Sequence, residues 1–262
     1  HEHKVNAFFE CCLRRIGTIR SRQQQEEAIS YLAGFINHYI ADSICHPYVY
    51  GRIGYPVDAP TSMHHGMHAH LENELDAILL WKYKKKKPSE FNQTATIRLN
   101  GQEIQFISHF LASCINETYY PITYRNNFQV TPAMVHRSIW ALRFGCRTLS
   151  DKNGKKKFGI AQVESIFVNH PVASAKMVTD SVTDYRSSCN LNHEAWGNPW
   201  DPTRVSTASF VDLFHETLDK CSRVYALLNS AVTDNVPLDK QDLSPLLTEL
   251  GNESYHSGLP VD

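Results

Sequence analysis

Apolar residues recur at intervals of three and four along most of this chain, a spacing that admits little except helix. Val5, Phe8, Phe9, Cys12, Leu13 and Ile16 set a first helix over about residues 4–20. Ile29, Leu32, Ala33, Ile36, Tyr39 and Ile40 set a second, from about Gln23 to Ser43. The residue before a proline avoids α geometry, so His46-Pro47 is expected to close that helix. A third covers about His64 to Lys84, and others fall at about 131–149, 159–182 and 206–230. Asn100-Gly101 lies between alternating apolar residues (Ile97, Leu99, Ile104, Phe106), which signals a hairpin. A helix over about 104–119 competes for its second arm. The segment 187–203 reads as a loop.

The expected fold class is therefore all-α, a multi-helix bundle with one small β-hairpin. A single helical domain is expected over residues 1–236, followed by a polar, loosely packed tail over 237–262. With 262 residues, 42% hydrophobic and 20% charged, the chain can bury a sizeable core. A net charge of −1 argues against a stable nucleic-acid partner, which usually calls for a basic excess. No run of about 18 apolar residues encodes a transmembrane segment. The seven cysteines contain no CxxC pair and read as free thiols of a reducing compartment, which points to a cytoplasmic location. The chain starts at His1, without methionine and on a helix-like segment, so an upstream region is expected.

Fourteen histidines, four of them between residues 64 and 70, call for a local reading. His38 and Asp42 are four residues apart, about 400° of helical rotation, so both side chains share one helix face. His46 follows by four more. His68 and Glu72 repeat the spacing on the next helix, and Asp76 extends the stripe. A lone His-x3-carboxylate pair is usually an ordinary hydrogen-bonded pair. Two such pairs on helices whose apolar stripes face inward instead suggest a metal site between helices. Imidazole and carboxylate donors suit zinc. His70 and Glu74 form a competing pair one register over, ranked below His68 and Glu72; His64 and His65 read as surface or cap residues.

Asn-His38-Tyr-Ile-Ala-Asp42, a histidine beside a proline, then His68-x3-Glu72-Asn-x2-Asp76 resemble the zinc-dependent phospholipase C family, in a bacterial branch. The resemblance covers about residues 1–80. It implies an α-helical metalloenzyme binding a cluster of two or three zinc ions. His38 and Asp42 would hold the first, with Asp42 bridging to a second and taking the catalytic role. His46, His68 and Glu72 would hold the third. His1 resembles a further zinc histidine, with His3 as its rival. The family's amino-terminal ligands and its general base have no counterpart here, and no β-sandwich lipid-binding domain follows.

The function expected is hydrolysis of a phosphodiester, phospholipid first, by phosphodiesterase chemistry with zinc-bound hydroxide as the attacking group. The alternatives are a zinc phosphodiesterase acting on nucleic acid, and a metal-stabilised helical binding protein without turnover. The chain contains no HExxH, no adjacent His-Asp pair, no GxSxG and no glycine-rich phosphate loop. Trp196 and Trp200 are candidate walls of a cleft.

Overall fold

In a computed structural model, residues 3–122, 127–168 and 170–262 are described. The helices are α1 (Val5–Gly17), α2 (Arg22–Arg52), α3 (Ser62–Lys84), α4 (Gly101–Tyr119), α5 (Pro132–Leu149), α6 (Lys155–Phe167) and the short α7 (Tyr185–Ser188). A two-stranded antiparallel sheet follows, β1 (Trp196–Asn198) and β2 (Asp201–Ser206), then α8 (Phe210–Thr233) and α9 (Ser244–Leu250). The mostly helical fold read from periodicity is the one observed.

The chain divides into two compact units. The first comprises His1–Ile44, Arg98–Ala141 and His215–Asp262; the second comprises Cys45–Ile97 and Leu142–Phe214. In the first, the stripe expected on α1 is fully buried and packs against α4 and α9. Phe9, Leu13, Ile36, Ile40, Ile107 and Leu250 belong to its core. In the second, Leu75, Ala77 and Ile78 of α3 are buried, together with Ala175 and Met177.

Five expectations are corrected. The hairpin at Asn100-Gly101 does not form, because Asn100 is the cap of α4. Its Oδ1 accepts from the backbone N–H of Gln102 and of Glu103, both at 2.9 Å. Glu103 Oε2 in turn accepts from the Asn100 N–H at 2.7 Å. This capping box satisfies helix donors that a strand would leave to a partner. The sheet lies instead at 196–206, in the segment read as a loop, where Asn198 Oδ1 accepts from the Trp200 N–H and closes the turn. Asn100→Ala is expected to destabilise the protein by about 1 kcal/mol, read as a shift of the urea midpoint.

Helix α2 does not end at His46 but runs through Pro47 to Arg52. An interior proline costs about 3 kcal/mol. Tyr48, Val49 and Tyr50, all buried, offset it at about 1.5–3 kcal/mol for each fully buried side chain. The Tyr48 hydroxyl also donates to the Ser188 carbonyl at 2.6 Å.

Residues 237–262 are not loosely packed. Leu238, Leu243, Leu246, Leu250 and Tyr255 are buried in the first unit's core, apolar positions easily overlooked among polar neighbours. The Lys4 N–H donates to the Asp262 carbonyl at 2.6 Å. Helix α6 stops at Phe167 and not near 182, for Pro171 follows within a turn. Glu164 folds the next residues back, accepting from the backbone N–H of Val172 and Ser174 at 3.2 Å.

Candidate metal centre

In the second unit, the last turns of α2 and the middle of α3 bring His46, His68 and Glu72 together. One ligand atom from each lies within 4.8 Å of the other two. His46 Nε2 is 3.1 Å from Glu72 Oε1, and His68 Nε2 is 3.0 Å from the same oxygen. Burial alone would raise the Glu72 carboxyl, but the hydrogen bonds and charge of the two imidazoles bring it down from 4.5 to about 2. It is therefore a full carboxylate at any pH where zinc chemistry proceeds. Its side chain is 41% exposed while both histidines are largely covered, so the group opens on the carboxylate side.

Aromatic side chains support this group. The Tyr50 ring lies 4.5 Å from His68 and 5.5 Å from His46, centroid to centroid. Trp200 and Tyr55 pack on Tyr50 at 5.0 and 4.6 Å. Of the two tryptophans singled out in the sequence, Trp200 thus belongs to the wall beside the histidines. Trp196 packs on Tyr48, and its Nε1–H donates to the Ala208 carbonyl. Tyr50 and Tyr55 carried no signal in the sequence, since both lie beyond the helix end expected at His46-Pro47.

The donor set fits zinc. Two imidazole nitrogens and one carboxylate oxygen already converge, and the arrangement is incomplete on its own terms. His68 Nδ1 is buried with no hydrogen-bond partner in the described structure, an unmet polar atom that costs about 1–3 kcal/mol. Two residues before His68, Gly66 lets α3 approach the backbone of residue 171, where an added Cβ would lie 2.1 Å from the Pro171 carbonyl oxygen. A glycine inside a helix normally gains about 1 kcal/mol on replacement by alanine. Here Gly66→Ala is expected to reverse that sign and cost about 1–3 kcal/mol, read by urea denaturation.

In the first unit, His38 and Asp42 are paired one turn apart on α2, with Nε2 3.3 Å from Oδ2. His38 is mostly exposed and is flanked by the Phe35 and Tyr255 rings at 6.4 and 6.2 Å. Between them in sequence, Tyr39 turns inward and is fully buried.

Residues 1–126 match the family described as zinc dependent phospholipase C. Over that stretch, just under half of its length, the chain is similar to the zinc-dependent phospholipase C family. No curated protein and no solved structure matches the chain. The matched segment contains every candidate ligand named from the sequence: His1, His38, Asp42, His46, His68 and Glu72. His1 lies outside the described residues. Its rival His3 sets its ring edge-on to Tyr119 at 5.7 Å.

The other histidines of α3 have different partners. His64 Nδ1 accepts from the Thr61 N–H at 3.2 Å, at the start of the helix. Glu74, beside His70, is buried; it accepts from the Thr183 N–H at 2.8 Å and the Ser188 hydroxyl at 2.6 Å. That carboxylate ties α3 to residues 183–188. Asp76 lines a cavity of about 670 Å³ with Asn73, Leu80, Phe91, Arg147 and Phe214.

Proposed function

We propose that this chain is a zinc-dependent phosphodiester hydrolase of the phospholipase C type, with phospholipid as substrate. The observation that carries the reading is the convergence of His46, His68 and Glu72 within the family-matched segment. Two histidines and a glutamate are a set used by catalytic zinc sites, which keep a further position open. Structural sites close with four protein ligands, and the partly exposed side of Glu72 favours the open arrangement.

Zinc, when bound, acidifies coordinated water to a pKa of about 7 and polarises phosphoryl oxygens. The protein's own contribution is placement. Glu72 supplies a fixed negative charge between two imidazoles, and Tyr50 holds the His68 ring from its face. Tyr55 and Trp200 in turn pack on Tyr50. His38 and Asp42 are proposed as ligands of additional zinc, with Asp42 as the catalytic carboxylate and His1 as a further ligand. That assignment is supported by the family match and the 3.3 Å pairing.

The test is zinc content after purification without added metal, for wild type beside Asp42→Ala, followed by assay on phosphatidylcholine and on a soluble aryl phosphodiester. About two or three zinc ions per chain, fewer in the variant, with hydrolysis abolished by a chelator, is the expected result. A folded chain without zinc would overturn the proposal. Zinc without turnover of either substrate would leave a metal-stabilised binding protein.

A further inference from the structure

Helix α6 has no buried residue among its thirteen. Phe158, Ile166 and Phe167 are 67%, 76% and 81% exposed, and Val163 and Val168 are exposed beside them. Single apolar residues on a surface are ordinary, but this many large ones on one short helix are not. The inward side of the helix is taken by Lys157, Ile160, Ala161 and Glu164, all partly covered. The outward side carries the aromatic and aliphatic groups toward its carboxyl end and Lys155 and Lys156 at its start.

Lys156 Nζ donates to the Thr148 and Ser150 carbonyls at 3.4 and 2.9 Å, whereas Lys152 and Lys155 are exposed. Lys155, Lys156 and Lys157 fill the first turn, where the helix dipole disfavours positive charge, and one acid meets them there, Asp151, whose Oδ2 accepts from the Lys157 N–H at 2.7 Å. Between Lys152 and Thr179 the chain holds five lysines against one acid, Glu164. The Glu164 carboxylate is turned onto the backbone of residues 172–174, away from the lysines. A chain of net charge −1 therefore concentrates positive charge beside exposed aromatic residues.

We infer that α6 is a docking surface for an anionic lipid bilayer, in which Phe158, Ile166 and Phe167 enter the headgroup boundary and Lys152 and Lys155 meet lipid phosphates. Apolar residues supply area at such a boundary, and each lysine near an anionic surface adds about fivefold to binding. Charge complementarity selects this occupant, since lysines flanking exposed apolar side chains match anionic headgroups flanking an apolar interior. The inference deepens the phospholipase reading, because it supplies the surface on which that substrate lies. It uses residues beyond the family-matched segment.

The experiment is sedimentation with vesicles of phosphatidylcholine alone and with about one quarter phosphatidylserine, using wild type, Ile166→Ser/Phe167→Ser and Lys152→Gln/Lys155→Gln. Wild type is expected to bind the mixed vesicles, and the serine variant to lose binding to both kinds. The glutamine variant should lose about 25-fold on mixed vesicles, about fivefold per lysine, and nothing on neutral ones. In Phe167→Trp, emission should shift to the blue on adding vesicles. All substituted side chains are exposed, and circular dichroism checks their folds. Equal sedimentation of all three proteins, or none by a folded wild type, would overturn the inference. So would a wild-type dimer dispersed by the serine substitutions, which would assign the surface to a second copy. Parallel assays keep the two readings separate. Hydrolysis of a soluble phosphodiester without vesicle binding would reject the docking surface alone; binding without hydrolysis would reject the enzyme alone.

Discussion

Glu72→Ala is expected to weaken zinc binding at the His46–His68–Glu72 group by more than about 100-fold, the upper end of what losing a residue that only orients a metal ligand costs. One oxygen of Glu72 faces both imidazole Nε2 atoms, so its removal takes away a ligand and leaves two nitrogens with no anion between them. The fold should survive, since the carboxylate is partly exposed and bonds only those histidines among the described residues. Competition with a chromophoric zinc chelator measures the loss, and circular dichroism verifies the helices. Glu74→Ala supplies the contrast: its carboxylate serves Thr183 and Ser188, so stability should fall while zinc affinity holds. If Glu72→Ala keeps wild-type affinity, the three residues are a hydrogen-bonded network and the metal lies elsewhere.

The elements of this site were legible to different degrees. His68 and Glu72 could be paired from spacing alone, because a four-residue interval on a long helix leaves little freedom. The position of His46 could not. Proline at 47 argued for a helix end, and only tertiary burial of Tyr48, Val49 and Tyr50 carries the helix onward. Tyr50 and Tyr55 were unreadable for the same reason, as their roles depend on the contact with Trp200, some 150 residues later. Asn100-Gly101 is compatible with a hairpin and with a helix cap, and Glu103, three residues after Asn100, decides for the cap. The lysine-rich, aromatic α6 was visible as sequence, but its lack of a buried face was not.

Phe9→Ala is expected to cost about 3–5 kcal/mol, the range for emptying an aromatic site in a core. Phe9 is fully buried, and its ring meets Phe8, Phe35 and Tyr39 at 5.9, 5.8 and 5.3 Å. The loss is felt on α2, which carries His38 between Phe35 and Tyr39. The Tyr39 hydroxyl donates to Glu253 Oε2 and accepts from the Glu253 N–H, both at 2.8 Å, so the cavity also loosens a buried polar anchor. Urea unfolding reads the cost. Phe9→Leu should recover a large part of it by refilling most of the volume. A change below about 1 kcal/mol for Phe9→Ala would mean that the surrounding side chains collapse into the space.

The two compact units have a practical consequence for anyone wishing to cut this protein down. Neither is a continuous stretch: the first is assembled from three pieces of chain and the second from two, with α2, α5 and α8 each shared between them. The family-matched stretch 1–126 is accordingly no folding unit. Excised, it would carry Phe9 and Leu13 without Val224, Leu246 and Leu250, and His68 without Trp200. Fragments made at family boundaries should precipitate, whereas a nick within one unit would leave its pieces held by that unit's own core. Because each unit must wait for distant sequence before it can close, assembly of the His46–His68–Glu72 group is tied to synthesis of the segment 142–214.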